Sequence, residues 1–391
     1  MEAAGPRRWP SRPPTRVWVW TAATLALVLV GVLLWRTSGV VATDSTTASA
    51  AEIPDQGPGG DLAQAWATTA DLVPRRVVEG GRVLLGSERG ITALDGLTGE
   101  EAWHYTRSDA RLCDLTAVNG VVVAVFRTAN RCDEAIALEA GTGERAWTRH
   151  VDYRADVRLS STDSIVLAES PTGISTLDPN GNNIRWNYRP PENCRLLDAD
   201  AGSTGVAVLQ RCGNAPAVQL RLFDGFDGDP HWTRDVADAD EPVRLVGADR
   251  LVTVVLGDEL EVHAAGDGAV LETLALPSSG DLGTETLQQA GMGSLAMVWA
   301  RGTVYALDES TGRVRWERPA LGLPNVREIG QVQPGAADVL VPEADGFVRR
   351  DVATGDEVAR LAVDDLPEGG RTSVVGPVVV YRLPDRVLGY R

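Results

Sequence analysis

No lysine occurs in this chain of 391 residues; all 37 basic side chains are arginine. That excludes lysine Schiff-base chemistry, a Walker A phosphate loop and a kinase-type phosphate anchor, whatever the fold. The arginine-only usage marks a GC-rich coding sequence. Aromatic residues are sparse at 5%, and 11 of them are tryptophan. Histidine is scarcer still: His104, His150, His231 and His263 are scattered, without metal or nucleophile-base spacing, and read as surface or packing residues. Only four cysteines are present, with no CxxC pair to suggest zinc. At 43% apolar and 23% charged residues, the chain is nevertheless able to bury a full core. Disorder throughout, a collagen-like fibre and a disulfide-only miniprotein are therefore excluded.

One long apolar run exists, nineteen uncharged residues from Val17 to Trp35. Its length suits a single bilayer crossing. Arg7, Arg8, Arg12 and Arg16 precede it and Arg36 follows, which by the positive-inside rule leaves residues 1–16 as a cytoplasmic tail and everything after the span outside. A cleaved signal peptide is the rival reading, with Val40-Val41-Ala42 or Ala48-Ser49-Ala50 as the cut; the length of the run favours retention as an anchor. Residues 36–61, rich in Thr, Ser, Ala, Gly and Pro, read as a flexible linker. The first 36 residues hold five arginines and one glutamate, leaving 32 arginines against 53 acids, net −21, in the remainder. Such a surface has no footprint for nucleic acid.

From Leu62 onward a repeat is visible. LDGLTGEEAW from Leu94 to Trp103, LEAGTGERAW from Leu138 to Trp147, LDPNGNNIRW from Leu177 to Trp186, FDGFDGDPHW from Phe223 to Trp232 and LDESTGRVRW from Leu307 to Trp316 all set an apolar residue nine positions before a tryptophan. Two copies, His263 to Glu272 and Arg350 to Ala359, keep the turn and lose the tryptophan. The motif is a hairpin. Acids at its second position (Asp95, Glu139, Asp178, Asp224, Asp308, Asp351) suit turn amides, and Gly99, Gly143, Gly228, Gly268, Gly312 and Gly355 occupy a position needing positive φ, where Asn182 stands in the third copy. Trp103, Trp147, Trp186, Trp232 and Trp316 then open the following strand, as large surfaces for packing between neighbouring sheets.

Short alternating runs precede each turn, so a unit of roughly 40 residues makes a four-stranded antiparallel sheet, a propeller blade. Seven turns are complete, and the chain ends on two strands of an unfinished unit. Ala65-Trp66-Ala67-Thr68 matches a tryptophan strand without the strands that should precede it. The expected fold is therefore all-β: an eight-bladed propeller over residues 62–391, closed by the N-terminal strand, with one N-terminal transmembrane helix. Seven blades with an unpaired first strand is the alternative.

These repeats resemble the PQQ-like propellers of the quinoprotein family over about Leu62 to Arg391, in a membrane-anchored, actinobacterial form. The resemblance implies the propeller fold but no one activity, since the family includes quinone-dependent dehydrogenases, BamB-type envelope scaffolds and extracytoplasmic sensor domains. The dehydrogenases carry a disulfide of adjacent cysteines, a calcium held by acids and an amide, and a catalytic aspartate. Here no adjacent cysteines exist, so the chain is more similar to the BamB-type scaffolds.

Cys113, Cys132, Cys194 and Cys212 form two pairs spaced 19 and 18 residues apart at matched places in the second and fourth blades. Four cysteines allow three connectivities; the matching points to one disulfide within each blade. GMGSLA from Gly291 leads into a strand rather than a helix, which makes it a turn and not a dinucleotide loop. The acidic runs DADAGS from Asp198 and DVADADEP from Asp235 read as solvated loops, with a cation or basic partner as the other possibility. The function expected is a non-enzymatic, membrane-tethered extracytoplasmic platform for an unidentified envelope protein, without catalytic residues, bound metal or cofactor. The alternatives are an oxidoreductase binding PQQ and a sensor for a small envelope ligand.

Overall fold

The computed structural model describes residues 15–36, 39–213, 217–238, 241–278, 282–324 and 338–391. The N-terminal tail thus lies almost wholly outside the described residues, and so does part of the acidic run from Asp235. Thr15–Arg36 is a helix of 22 residues that contains the apolar run. Among the described residues no helix is long and apolar enough to cross a membrane.

Apart from a short helical turn at Gly39–Ala42 and a two-residue parallel pairing of Gly322–Leu323 with Gly370 and Arg371, all remaining architecture among the described residues is antiparallel sheet arranged as eight blades. Blades 1 to 6 span residues 78–107, 111–153, 158–188, 194–238, 243–275 and 288–319. Blade 7 shows three strands over residues 338–362. Blade 8 takes Gly370–Val375, Val378–Arg382 and Arg386–Tyr390 from the C-terminus and Gln64–Thr69 from the beginning of the domain. That N-terminal strand pairs with the last one, Trp66 opposite Gly389 and Thr68 opposite Val387. Ala63 and Arg391 exchange both backbone hydrogen bonds, at 3.0 and 2.9 Å, which seals the ring and leaves no free terminal edge.

Within a blade, sequence pattern follows position. Second strands are covered on both faces and are continuously apolar; Leu295–Ala300 is buried throughout. Fourth strands face solvent and alternate, as in Glu101–Arg107. The blades are locked by the repeat motif itself. Asp95, Asp178, Asp224, Asp308 and Asp351 each accept two turn amides on one carboxylate oxygen, at 2.7 to 3.2 Å. The motif glycines and Asn182 all have φ between 54° and 81°. Each tryptophan crosses to the next blade: Trp103 donates its indole N–H to Ala140 O at 2.9 Å, Trp147 to Pro179 O at 2.7 Å, Trp186 to Gly225 O at 3.2 Å, Trp232 to Ala265 O at 2.9 Å and Trp316 to Val352 O at 2.7 Å.

The same rings lie on the turn glycines of the following blade. A Cβ at Gly143 would sit 2.7 Å from the Trp103 ring, and one at Gly228 2.5 Å from Trp186. At Gly99, Gly143, Gly228, Gly268 and Gly355 glycine is thus favoured twice over, by backbone conformation and by the indole above it; the third copy has Asn182 instead. In the fifth copy the tryptophan is lost, and Leu271 fills its place against Gly312.

Residues 43–58 depart from the expectation of a flexible linker. Thr43–Ser45 adds a fifth strand to the outer edge of blade 1, with Thr43 opposite Arg107 and Ser45 opposite Tyr105. The chain then crosses the face that carries the repeat turns. Ala48 N–H donates to Thr142 O at 2.9 Å, Arg82 donates to Ser49 O at 2.7 Å, and Arg349 donates to Pro58 O at 3.1 Å. Small residues let this strap lie flat, and backbone groups make its contacts, so composition alone does not reveal it.

Candidate functional site

The inner strands of the blades surround an axial channel. Residues there face one another across the ring rather than a neighbouring blade, so polar and charged side chains on otherwise apolar strands find partners far away in sequence. Arg75, in the segment leading into blade 1, reaches Asp200 of blade 4 at 2.7 Å, and Arg76 reaches Asp163 of blade 3 at 3.0 Å. Arg158 holds Glu169 at 2.9 Å and Asp198 at 3.3 Å. Asp249 accepts the Ser203 hydroxyl and the Gly291 amide, both at 2.6 Å. Arg382 donates to Val73 O at 2.7 Å and Pro74 O at 3.2 Å, tying blade 8 to the same lead-in segment.

Confinement shifts the acid-base behaviour of these groups. Burial, reinforced by Asp198, pushes Glu169 up to about 8 against the pull of Arg158 and Arg75. Asp114 rises to about 6, again through burial, although the amides of Leu159 and Leu115 donate to it. On the opposite wall, burial and the guanidinium groups of Arg75, Arg76 and Arg382 push Arg371 down to about 10. Positive groups thus come from blades 1 and 8, and most carboxylates from blades 3 and 4.

The acidic run DADAGS is therefore not a solvated loop: Asp198 and Asp200 stand on the inner strand Cys194–Gly202, paired with arginines. Its spacing is that of a strand, but the arginines lie about forty to 125 positions away, beyond any local pattern. The four cysteines form the disulfides Cys113–Cys132 and Cys194–Cys212, at the blade ends opposite the repeat turns. Cys132 opens the third strand of blade 2 rather than closing its second. Asp224 serves its turn amides, and Gly291 to Ala296 forms a hairpin between strands Gln288–Met292 and Leu295–Ala300. His263 is buried and stacked on Trp232, while His104 bonds Glu101 at 2.6 Å. Among the described residues no group of three or more His, Cys, Asp or Glu side chains is arranged to hold a metal.

These residues do not fit a calcium-held quinone. Asp200, Asp198 and Glu169, the carboxylates nearest to such a role, are held by Arg75 and Arg158, whose charge competes with a cation. Neither disulfide joins adjacent cysteines.

Residues 31–195 match the family described as outer membrane protein assembly factor BamB. No curated protein sequence matches the chain. Among solved structures it is similar to a computationally designed protein, Ika8, at 14% identity with a TM-score of 0.52, covering 85% of this chain and 99% of that one. BamB from Moraxella catarrhalis shares 19% identity over 84% of this chain and 99% of its own, with a TM-score of 0.47. A quinohemoprotein alcohol dehydrogenase from Pseudomonas putida shares 13% over 85% of this chain and 76% of its own, with a TM-score of 0.48. Likeness at this level concerns the fold alone. With the tryptophan-glycine locks and the closing N-terminal strand, the chain is an eight-bladed β-propeller, and its N-terminal half is similar to the BamB family of PQQ-like repeats.

Proposed function

We propose that this propeller is a non-enzymatic interaction platform displayed outside the cytoplasm, with the apolar run Val17–Trp35 as the segment that attaches it to the membrane. The observation that carries this reading is the engagement of the channel carboxylates by arginine: Arg75 and Arg76 tie the lead-in segment to Asp200 and Asp163 of other blades, and Arg158 holds Glu169 within its own blade. The disulfides fit an oxidising compartment. Four arginines before the apolar run set its orientation. Ser108 N–H donates to Ala42 O at 2.8 Å, so only residues 37–42 separate the helix from the docked strap. The partner is a protein of the envelope.

The test is calorimetric titration of the full-length protein with PQQ and calcium, followed by assays of alcohol and sugar oxidation. The platform reading expects neither binding nor turnover. Stoichiometric binding with turnover replaces it by the oxidoreductase reading. Protease added to intact cells should cleave the propeller; protection of residues beyond 43 removes the extracytoplasmic placement.

A further inference from the structure

A cavity of about 450 Å³ opens into the channel on the face of the repeat turns, bounded by Arg75, Thr116, Ser160, Asp200, Phe226 and Arg371 among others. Its size is that of a small-molecule site. The carboxylates on its wall are occupied: Asp200 by Arg75, Asp163 by Arg76, Asp249 by Ser203 and the Gly291 amide, and Asp224 by its own turn. Other polar groups are not, among them Arg250 Nε, which is buried without a partner. The Arg371 side chain makes no hydrogen bond or ion pair with the described residues, although it is half-buried and lines the cavity. Ser160 Oγ is buried on the same cavity without a partner. A buried hydroxyl without a bond is destabilising, and a ligand in the cavity that bonds it would recover that cost. Thr116 Oγ1 lies 2.9 Å from Ser161 Oγ and keeps further hydrogen-bonding capacity toward the cavity it lines.

We propose that this cavity binds a small hydroxylated anion, a sugar acid or a sugar phosphate, with its charge on Arg371 and its hydroxyls against Ser160 and Thr116. An arginine fork matches the two oxygens of either a carboxylate or a phosphate, and it stands beside Arg75 and Arg76, whose fields an anion relieves. Hydroxyls rather than apolar groups make up much of the surrounding wall, with Ser161, Thr162, Ser164, Ser203 and Thr204 near the mouth. The site goes beyond the platform reading and does not rest on it, since a ring that docks a partner on its outer surface keeps its channel free.

The test is calorimetric titration of the full-length protein with glucuronate and with glucose 6-phosphate, with glucose and sulfate as the two half-ligands. One sugar anion should bind with a stoichiometry of one, at least about tenfold more tightly than either half-ligand, the difference expected for a charge-assisted bond. A preference for glucuronate identifies the carboxylate as the natural anion, and a preference for glucose 6-phosphate identifies the phosphate. Arg371→Gln should weaken binding at least about tenfold, and Ser160→Ala by a smaller factor. Absence of binding by both sugar anions up to about 10 mM overturns the proposal. So does sulfate or glucose binding as tightly as the sugar anions, a comparison that needs no variant, or wild-type affinity in a folded Arg371→Gln protein.

Discussion

Gly143→Ala separates the two demands that the repeat places on its turn glycine. Gly143 has φ 78°, and a Cβ there would meet the Trp103 ring at 2.7 Å. Gly120, in the same blade, has φ 84° and open space around the equivalent atom. Alanine at Gly120 therefore suffers only the left-handed backbone, about 1–2 kcal/mol, partly offset by about 0.4–1 kcal/mol from a less flexible unfolded chain. At Gly143 the methyl must also displace an indole that is fully buried and bonded to Ala140 O. Overpacking of this kind adds about 1–3 kcal/mol. Equilibrium unfolding in guanidinium should thus place Gly143→Ala about 1–3 kcal/mol below Gly120→Ala. Trp103→Ala by itself should cost about 3–5 kcal/mol, and Gly143→Ala on that background should cost no more than Gly120→Ala. Equal effects of the two glycine substitutions, or an undiminished Gly143 effect once the indole is gone, would refute the lock.

Three further outcomes are expected. Glu169, ordinarily near 4.5 and pushed up to about 8 in the fold, binds its proton more tightly folded than unfolded, so its contribution to stability is full below pH ~4.5 and is lost as pH rises towards 8. Glu169→Gln should gain stability relative to the wild type across that window in unfolding titrations at stepped pH; a constant difference would show that Glu169 does not titrate there. Replacing Cys113 and Cys132 by serine should lower stability by about 3 kcal/mol, and the Cys194–Cys212 pair should behave alike under a reductant in denaturant melts. Amide exchange should be slow at Thr46 and Ala48, which donate to His104 O and Thr142 O; exchange at the rate of an unstructured peptide would return the strap to a free tether.

The blades were legible because their information is local. A turn acid, a glycine or asparagine and a tryptophan nine residues after an apolar position specify one hairpin each; five such hairpins, two that keep the turn without the tryptophan, and an orphan strand, Trp66 with its neighbours, add up to eight blades. The disulfides were legible for the same reason, since Cys194 and Cys212 stand directly opposite on adjoining strands. The strap was not legible, because residues 43–58 bind through backbone groups that every composition possesses. Nor was the channel: Asp200 looks like any loop acid until Arg75 arrives beside it from the other side of the ring.

The sequence by itself determined the class of fold and the blade unit, because hairpin geometry and the alternation of buried and exposed residues act over a few positions; the pairing of Gln64–Thr69 with the last strand decided eight blades over seven. Only the tertiary structure decided which blade receives each indole, where the N-terminal segment docks and which charges meet at the axis. Those contacts join residues from different blades, and ring closure, a property of the whole chain, is what brings Arg371, Ser160 and Arg75 around one cavity.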